Sequence, residues 1–270
     1  MPELPEVETT RLGLTPHTLN RKVSAVVVRE GRLRWPVPAD LDSNLLGQKL
    51  LGLSRRGKYL LFEFKTGTLL AHLGMSGSLR MVPTGTSPEL HDHVDISFGK
   101  LSLRYHDPRR FGCLLWNSGD ISKHSLLAHL GPEPLTDDFN GALLFQKSRK
   151  RKQSVKTFIM DSRIVVGVGN IYANEALFMT GIKPIRKAGN LTRQNCESLA
   201  AKIKFVLARS ITQGGTTLRD FVGGDGKPGY FQQQLLVYGR AGEPCRQCQK
   251  PLKEVRLAQR STVYCTACQK

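Results

Sequence analysis

The C-terminal part of the sequence has to bring four cysteines together. Cys245 and Cys248 form one Cys-x-x-Cys pair, Cys265 and Cys268 form a second, and sixteen residues separate the two pairs. This spacing is typical of a four-thiolate zinc ribbon, a β-hairpin with a pair of ligands at each knuckle. Two disulfides are the alternative, although a reducing compartment disfavours them. The sequence therefore predicts one structural Zn²⁺, because four thiolates leave no open position for a water molecule.

The chain is strongly basic. Its 270 residues contain 40 Lys and Arg against 22 Asp and Glu, a net charge of +18. Such an excess favours a polyanionic partner over a small metabolite, and nucleic acid is the first hypothesis. A membrane surface is also anionic, but no apolar run approaches the roughly 18 residues of a spanning helix. The acidic N-terminus has no apolar signal core, so we expect a cytoplasmic protein that is not secreted.

The sequence divides into a β-rich part and a helical part. Short β-branched and aromatic runs recur from about residue 22 to 116, which predicts an antiparallel β-sandwich or flattened barrel behind an N-terminal helix. Helical patterns follow Gly131-Pro132-Glu133-Pro134. The predicted strands are 23–28, 59–64, 68–73, 94–98 and 101–105, and the predicted helices are 137–148, 154–160, 170–179 and 192–211. We therefore predict an α+β fold with domains at 2–116, 130–225 and 236–270.

The N-terminal Met1-Pro2-Glu3 sequence offers a reactive amine. Removal of Met1 would leave Pro2 as a secondary amine, and an α-amino group titrates near roughly pH 8, so a useful fraction is uncharged at neutral pH. Such an amine can attack an electrophilic carbon and form an iminium, a positively charged electron sink. Pro5 suits the first turn of a helix, and Glu6 complements the dipole of that helix. Many chains begin Met-Pro without this chemistry, so the residue alone does not decide the function.

Seven further motifs are spread along the whole chain. They are Pro2-Glu3-Leu4-Pro5-Glu6-Val7-Glu8-Thr9, Arg55-Arg56-Gly57-Lys58-Tyr59-Leu60, His72-Leu73-Gly74-Met75-Ser76-Gly77, His91-Asp92-His93-Val94-Asp95, Asp107-Pro108-Arg109-Arg110-Phe111-Gly112, Gly167-Val168-Gly169-Asn170-Ile171-Tyr172 and Ala258-Gln259-Arg260. With the four cysteines, they resemble bacterial formamidopyrimidine-DNA glycosylase. The resemblance implies a helix-two-turns-helix motif in the helical domain.

The resemblance implies a bifunctional enzyme of base excision repair. Pro2 would displace an oxidised purine from the sugar through a Schiff base, and Glu3 would move protons. Lys58 would be a general acid, and β,δ-elimination would then cut the strand. Arg260 matches an arginine credited with a phosphate contact and the second elimination; because a guanidinium stays protonated, phosphate binding is the better-founded role.

The resemblance also implies the residues that deform and hold DNA. Met75, Arg109 and Phe111 would fill the gap left by an everted base, with Arg109 facing the orphaned partner. Phosphate contacts would come from His91, Arg109, Arg151 and Asn170. The glycine-rich segment 214–229 would close over the base. Arg151 stands where a lysine is expected, which puts the geometry of that contact in doubt.

Two competing hypotheses remain at this point. An endonuclease VIII-like enzyme would share the Pro-Glu start and the ribbon but act on oxidised pyrimidines. A non-catalytic zinc-ribbon protein would bind DNA with Pro2 incidental. We expect a monomer that binds damaged double-stranded DNA in the bacterial cytoplasm at the nucleoid, without a membrane or a nucleotide cofactor. The sequence does not identify the atoms that read the base, the preferred lesion, the organism or protein partners.

Overall fold

The computed structural model of the protein describes residues 2–215 and 235–270. These residues fall into two compact units. The first unit contains 2–128 together with 213–215, and the second contains 129–212 and 235–270. Most of the glycine-rich segment predicted as a loop lies outside the described residues.

Helix α1, Leu4–Thr18, opens the first unit. Glu3 is its N-cap, and Glu3 and Glu6 form a capping box in which the Glu3 N–H donates to Glu6 Oε2 at 2.8 Å. Pro5 stands in the first turn, where a missing N–H costs nothing. The helix packs against β2 and β3 of one sheet and β5 of the other. The start of the chain is therefore fixed at the end of a sandwich.

Two antiparallel four-stranded sheets form that sandwich, in the orders β1-β6-β7-β5 and β2-β3-β4-β8. Buried residues of both sheets join α1 in one apolar core that includes Val7, Phe62 and Leu103. The strands are β1 Ala25–Val28, β2 Gly52–Arg56, β3 Tyr59–Phe64, β4 Gly67–His72, β5 Ser78–Pro83, β6 Asp92–Phe98, β7 Leu101–His106 and β8 Cys113–Asn117. A short helix α2, Leu41–Leu45, and a 3₁₀ turn, Ile121–Lys123, complete the unit.

Helices build most of the second unit. Asn140 accepts the Leu143 N–H at 2.9 Å and caps α3, and Gly141 lets α3 approach α6, because a Cβ there would lie 2.5 Å from Glu197 Cα. Every residue of α5 from Ile171 to Phe178 is buried. The helices are α3 Gly141–Ser148, α4 Val155–Ile159, α5 Asn170–Met179 and α6 Arg193–Thr212, with a 3₁₀ turn at Ala188–Asn190.

A two-stranded hairpin ends the second unit. Its strands are β9, Lys253–Leu257, and β10, Arg260–Tyr264, and Arg260 pairs with Leu257. Ala258 and Gln259 join them with φ values of 47° and 60°. Positive φ at both central residues is the geometry of a tight type I′ turn, which matches the twist of the strands.

The predicted α+β class and its antiparallel β-sandwich are confirmed. The bounds of β3 and α5 agree with the prediction. Sequence patterns missed β2, β5 and β8. They also missed α2, whose five residues include Asp42, Ser43 and Asn44 and suit a turn as well as a helix. Across the described parts of the chain, no helix combines the length and apolarity that a bilayer crossing requires.

Candidate active site

The first turn of α1 fixes Pro2 and Glu3. Both residues are buried, and Glu3 is only 1% exposed. The Glu3 backbone is extended, with φ −104° and ψ −170°, so the chain turns away from the helix axis at this residue. The capping box with Glu6 holds that turn. The predicted amine and a carboxylate are therefore held side by side by ordinary helix-capping interactions.

The glycine-rich segment begins next to this turn. Gly215 has a φ of 81°, and a Cβ at this position would lie 3.4 Å from Glu6 Oε1. Only a residue without a side chain adopts this φ readily while approaching so closely. The remainder of the predicted loop, including Thr216 and Thr217, lies outside the described residues.

Lys58 occupies a two-residue hairpin turn between β2 and β3. Arg56 pairs with Tyr59, and Gly57 adopts a φ of 59°. Arg55 fixes the turn to α1: it donates from Nε to Glu8 Oε2 at 2.8 Å and from its guanidinium to the Gly57 carbonyl at 3.0 Å. Arg55 thus joins helix α1 to the Lys58 turn, a contact that its motif did not predict.

His72, at the end of β4, lies near Lys58. Burial, followed by the positive charges of Lys58 and Arg34, lowers the pKa of His72 to about 4. The Gly74 N–H donates to His72 Nδ1 at 3.0 Å, which requires the unprotonated nitrogen. The ring of His72 also contacts Tyr59, with centroids 4.8 Å apart. The imidazole of His72 is therefore neutral beside Lys58.

Met75, Arg109 and Phe111 lie on two loops that touch. Met75 is 39% exposed and Phe111 is 44% exposed. The Arg109 guanidinium carbon lies 5.0 Å from the centre of the Phe111 ring. The loops meet at Gly74, where an added Cβ would lie 2.5 Å from the Phe111 carbonyl carbon. The structure therefore presents two apolar side chains and one cation on a single exposed surface.

His91 lies beside two other histidines, His93 and His106. Its φ is 73°, a conformation that non-glycine residues seldom adopt. Its ring faces the rings of His93 and His106, with centroids 6.2 and 6.1 Å away. His106 hydrogen-bonds the buried Asp92 through Nδ1 at 2.9 Å. The partly buried His91 is thus held in a left-handed turn just before β6.

The second unit carries the remaining candidates. Asn170 is the first residue of α5, after Gly169 as N-cap and Gly167 with a φ of 80°. Its backbone oxygen accepts from Asn174 Nδ2 at 2.6 Å. Arg151 is exposed and lies beyond the end of α3 at Ser148. Lys150, just before it, adopts a φ of 61°, so this end of the basic run is not helical.

Arg260 is exposed as the first residue of β10, directly after the type I′ turn. Sequence reasoning missed its neighbour Lys156, a lysine only 1% exposed on α4. Lys156 Nζ donates to the Ser261 carbonyl at 2.7 Å and to Thr262 Oγ1 at 2.6 Å. A buried ammonium needs such acceptors. It ties the strand that carries Arg260 to a helix more than 100 residues earlier, a pairing that no local pattern could reveal.

Glu175 on α5 was also missed. It is 1% exposed and accepts the N–H groups of Leu236, Val237 and Tyr238 at 2.8, 3.0 and 2.9 Å. Burial raises the pKa of Glu175, against the opposing effect of the three N–H donors. The carboxylate therefore anchors the chain where the described residues resume.

The four C-terminal cysteines converge as predicted. Their sulfur atoms all lie within 4.8 Å of one another, with Cys248 Sγ 3.4 Å from Cys265 Sγ and Cys245 Sγ 3.9 Å from Cys268 Sγ. Four sulfurs at about 2.3 Å from a tetrahedral zinc ion require separations of this size. Four sulfur donors are the ligand set of structural zinc sites. The donor set fits zinc.

The candidates thus form two groups, one in each unit. The first unit carries Pro2, Glu3, Lys58, Met75, His91, Arg109 and Phe111, and the second carries Arg151, Asn170, Arg260 and the four cysteines.

Three family models match the chain along its length. Residues 1–114 match the formamidopyrimidine-DNA glycosylase N-terminal domain, 130–222 match the formamidopyrimidine-DNA glycosylase H2TH domain, and 242–270 match a zinc finger found in FPG and IleRS. The predicted helix-two-turns-helix motif and the single structural zinc site are confirmed.

Known proteins resemble the chain over its full length. A formamidopyrimidine-DNA glycosylase from Cellvibrio japonicus is 68% identical, and one from Saccharophagus degradans is 62% identical, each match covering 100% of both chains. The crystal structure of the Thermus thermophilus Fpg protein is 38% identical with a TM-score of 0.89, covering 99% of this chain and 98% of that one. A Lactococcus lactis Fpg variant, solved with Fapy-dG containing DNA, is 33% identical with a TM-score of 0.93 and 100% coverage of both chains.

Proposed function

The chain belongs to the formamidopyrimidine-DNA glycosylase family, whose members are DNA glycosylases of base excision repair, and we propose that it removes oxidised purines through Pro2. Structures similar to this chain contain Fapy-dG, carbocyclic 8-oxo-G or abasic-site DNA. We take formamidopyrimidines and 8-oxoguanine opposite cytosine as its substrates. The lyase step is typical of the family. The observation that carries the proposal is the capping box, which holds Pro2 and Glu3 at the start of α1.

Pro2 is the nucleophile once Met1 has been removed. Its lone pair forms a bond to C1′ while the bond from C1′ to the damaged base breaks. The base leaves with the electron pair of that bond and takes a proton from the solvent. Glu3 accepts the proton that the Pro2 nitrogen loses and passes it to the ring oxygen O4′ as the sugar opens, so that the nitrogen and C1′ become an iminium. Because Glu3 is buried beside Pro2, its proton reaches the sugar without crossing bulk water.

The iminium makes the C2′ proton acidic. Loss of this proton breaks the bond from C3′ to the 3′ phosphate, and a second elimination releases the 5′ phosphate. Lys58 is the general acid of this sequence, held by the Gly57 turn. Arg260 binds phosphate as a fixed cation during the second elimination.

The damaged nucleotide leaves the helix before reaction, at a cost of a few kcal/mol. Met75 and Phe111 enter the base step, and Arg109 pairs with the orphaned base. His91, Arg109, Arg151 and Asn170 bind the DNA backbone, and the N–H groups at the start of α5 suit a phosphate. The net charge of +18 supports a phosphate-dominated interface, whose affinity falls steeply as salt rises.

The domains act as separate parts of this reaction. Residues 2–116 carry the nucleophile and the gap-filling loops, 130–225 bind the backbone, and 236–270 form the zinc finger that holds Arg260. The zinc ion supplies structural support only. The enzyme works as a monomer on damaged double-stranded DNA. The bacterial relatives support a cytoplasmic location, and association with the nucleoid would follow from its binding to DNA.

Borohydride trapping tests the nucleophile. The protein is mixed with a duplex that contains 8-oxoguanine opposite cytosine, sodium borohydride is added, and the covalent adduct is measured by electrophoresis. Pro2→Gly should lose most of the adduct. Pro5→Ala is the matched control, because it changes a second proline of the same motif and leaves the terminal amine intact.

Equal trapping by Pro2→Gly and the unaltered protein would contradict the mechanism. Intact-mass measurement of active protein should show the loss of one methionine, and active protein that keeps Met1 would also exclude Pro2 as the nucleophile. Faster cleavage of a thymine glycol duplex than of an 8-oxoguanine duplex would instead favour the endonuclease VIII-like alternative.

A further inference from the structure

Asp107 lies between the two loops that carry Met75 and Phe111. We call residues 73–77 the first wedge loop and residues 107–112 the second. Asp107 is completely buried, although it begins an exposed loop. Buried carboxylates are rare unless their oxygens have partners. The contacts of Asp107 therefore indicate what it holds in place.

The Asp107 side chain reaches both loops. Its Oδ2 accepts the Gly112 N–H at 2.8 Å and the Tyr105 hydroxyl at 3.3 Å. Its Oδ1 accepts from Ser76 Oγ at 3.4 Å, a longer contact. Ser76 belongs to the first wedge loop and Gly112 closes the second. One carboxylate thus accepts hydrogen bonds from both.

The Asp107 backbone adds further contacts, and its N–H donates to the His91 carbonyl at 3.1 Å. The Asp107 carbonyl accepts from His93 Nε2 at 2.8 Å and from the Arg110 N–H at 3.2 Å. The first of these fixes Asp107 to β6, and the second shapes the turn that presents Arg109. The backbone of Asp107 is therefore fixed to the sheet, and its side chain is hydrogen-bonded to both wedge loops.

Glycines allow the two loops to pack closely around this carboxylate. Gly74 has a φ of 62°, and a Cβ on it would collide with the Phe111–Gly112 backbone. A Cβ on Gly77 would collide with the Leu73 carbonyl and lie 3.4 Å from Asp107 Cγ. The two wedge loops therefore pack closely against each other around Asp107.

We propose that Asp107 is a positioning residue that makes the two wedge loops act as one unit during eversion of the damaged base. It presents Met75, Arg109 and Phe111 together, so that entry of Phe111 into the base step also brings Arg109 to the orphaned base. The proposal rests on the proposed function of these three residues. Asp107 itself touches neither the sugar nor the base.

Single-turnover kinetics on two DNA substrates test this role. The first substrate is a duplex with 8-oxoguanine opposite cytosine, whose base has to be everted. The second carries a preformed abasic site, where no base has to leave the stack. Loss of a buried acceptor that serves several donors should slow excision by Asp107→Ala about tenfold or more. Strand cleavage at the abasic site should change less than about threefold, since it bypasses eversion.

Asp107→Asn is the matched variant. Its amide oxygen can still accept from Gly112 and Tyr105, and its NH₂ group can donate to Ser76 Oγ, which also accepts. Excision by Asp107→Asn should therefore stay within about threefold of the unaltered protein. A 2-aminopurine placed next to the lesion should report slower helix opening in Asp107→Ala and normal opening in Asp107→Asn.

A double-mutant cycle separates positioning from general destabilisation. If Asp107 acts through the second wedge loop, Asp107→Ala should slow excision less than about twofold further once Phe111→Ala is present, because residues of one network are not additive. Gly74→Ala covers the case in which Asp107→Ala fails to fold. It forces the loops apart without touching Asp107, and it should show the same selective loss of excision.

Two results would overturn the proposal. One is an equal loss on both DNA substrates in Asp107→Ala, and the other is normal excision in Asp107→Ala or Gly74→Ala. Failure of the proposed function looks different, because the unaltered protein would then form no borohydride adduct on either substrate.

Discussion

Arg55 joins helix α1 to the turn that carries Lys58, and replacing it tests whether this contact positions the lysine. Arg55→Met keeps the apolar stem but removes the guanidinium that bonds Glu8 Oε2 at 2.8 Å and the Gly57 carbonyl at 3.0 Å. The side chains of Arg55 and Glu8 are 11% and 16% exposed, so solvent screens their ion pair only in part. We expect losses of both stability and rate.

The loss in unfolding free energy depends on the contacts that remain in Arg55→Met. Glu8 keeps Arg11, whose guanidinium lies 2.7 Å from Oε1, so no carboxylate is left without a partner. Two charge-assisted hydrogen bonds are nevertheless lost, and at about 1.5 kcal/mol for each we expect the free energy of unfolding to fall by about 3 kcal/mol. If these contacts also hold the Lys58 turn in its reactive position, adduct formation should slow about tenfold, because 1.4 kcal/mol corresponds to one factor of ten.

Urea denaturation measures the first quantity, and the rate of borohydride trapping on an abasic-site duplex measures the second. Arg55→Lys should have an unfolding free energy and a trapping rate between those of Arg55→Met and those of the unaltered protein. An ammonium cannot make both contacts with the geometry of a guanidinium. Arg32→Met is the control. It removes an arginine from an ion pair of similar length, 2.7 Å, whose arginine is 83% exposed, and such pairs contribute little.

Equal unfolding free energies and equal trapping rates for Arg55→Met and Arg32→Met would refute the reasoning. A loss of stability with an unchanged trapping rate would show that Arg55 stabilises the unit without positioning Lys58.

Three other perturbations have defined outcomes. Cys248→Ser should lose the single bound zinc ion by metal analysis and weaken DNA binding, whereas Cys196→Ser, at a buried cysteine of α6, should keep the metal. The pKa of His72 is about 4 in the folded state against an ordinary 6.5, so the unfolded state binds more protons between these two values. The free energy of unfolding should therefore fall as the pH drops from about 6.5 to 4. In His72→Gln this fall should be smaller, and an identical pH profile would contradict the assignment. Glu175→Gln leaves one buried N–H facing an amide NH₂, so the free energy of unfolding should fall by about 2 kcal/mol, while the exposed Glu254→Gln should unfold normally in the same denaturant titration.

Local patterns predicted the elements in which most residues are apolar. β3 is an apolar run interrupted only by Glu63, and α5 is buried along most of its length, and both were predicted with the observed bounds. β2 was missed because Ser54, Arg55 and Arg56 look like a polar loop. Their strand conformation depends on pairing with β3 and on Glu8, which lies 47 residues from Arg55.

The same limit applies to the site. Motifs identified Pro2 and the cysteines, because their chemistry is visible in residue type and spacing. Lys156 and Asp107 are ordinary charged residues in the sequence, and only their burial against partners distant in the chain reveals what they hold. Lys156 and Thr262 are 106 positions apart. A single sequence gives no signal for such a contact.

The zinc-finger hairpin is fixed at both of its strands. Just before β9, the Leu252 N–H donates to the Glu243 carbonyl at 2.9 Å. Lys156 bonds Thr262, and Asn174 accepts the Val263 N–H at 3.0 Å, so β10 cannot slide along the rest of its unit. An inserted or deleted residue between Leu257 and Arg260 would therefore have to be absorbed within the turn itself, where both residues already have positive φ. We expect evolution to exchange the amino acids of this tip, toward asparagine, aspartate or glycine, while it preserves their number.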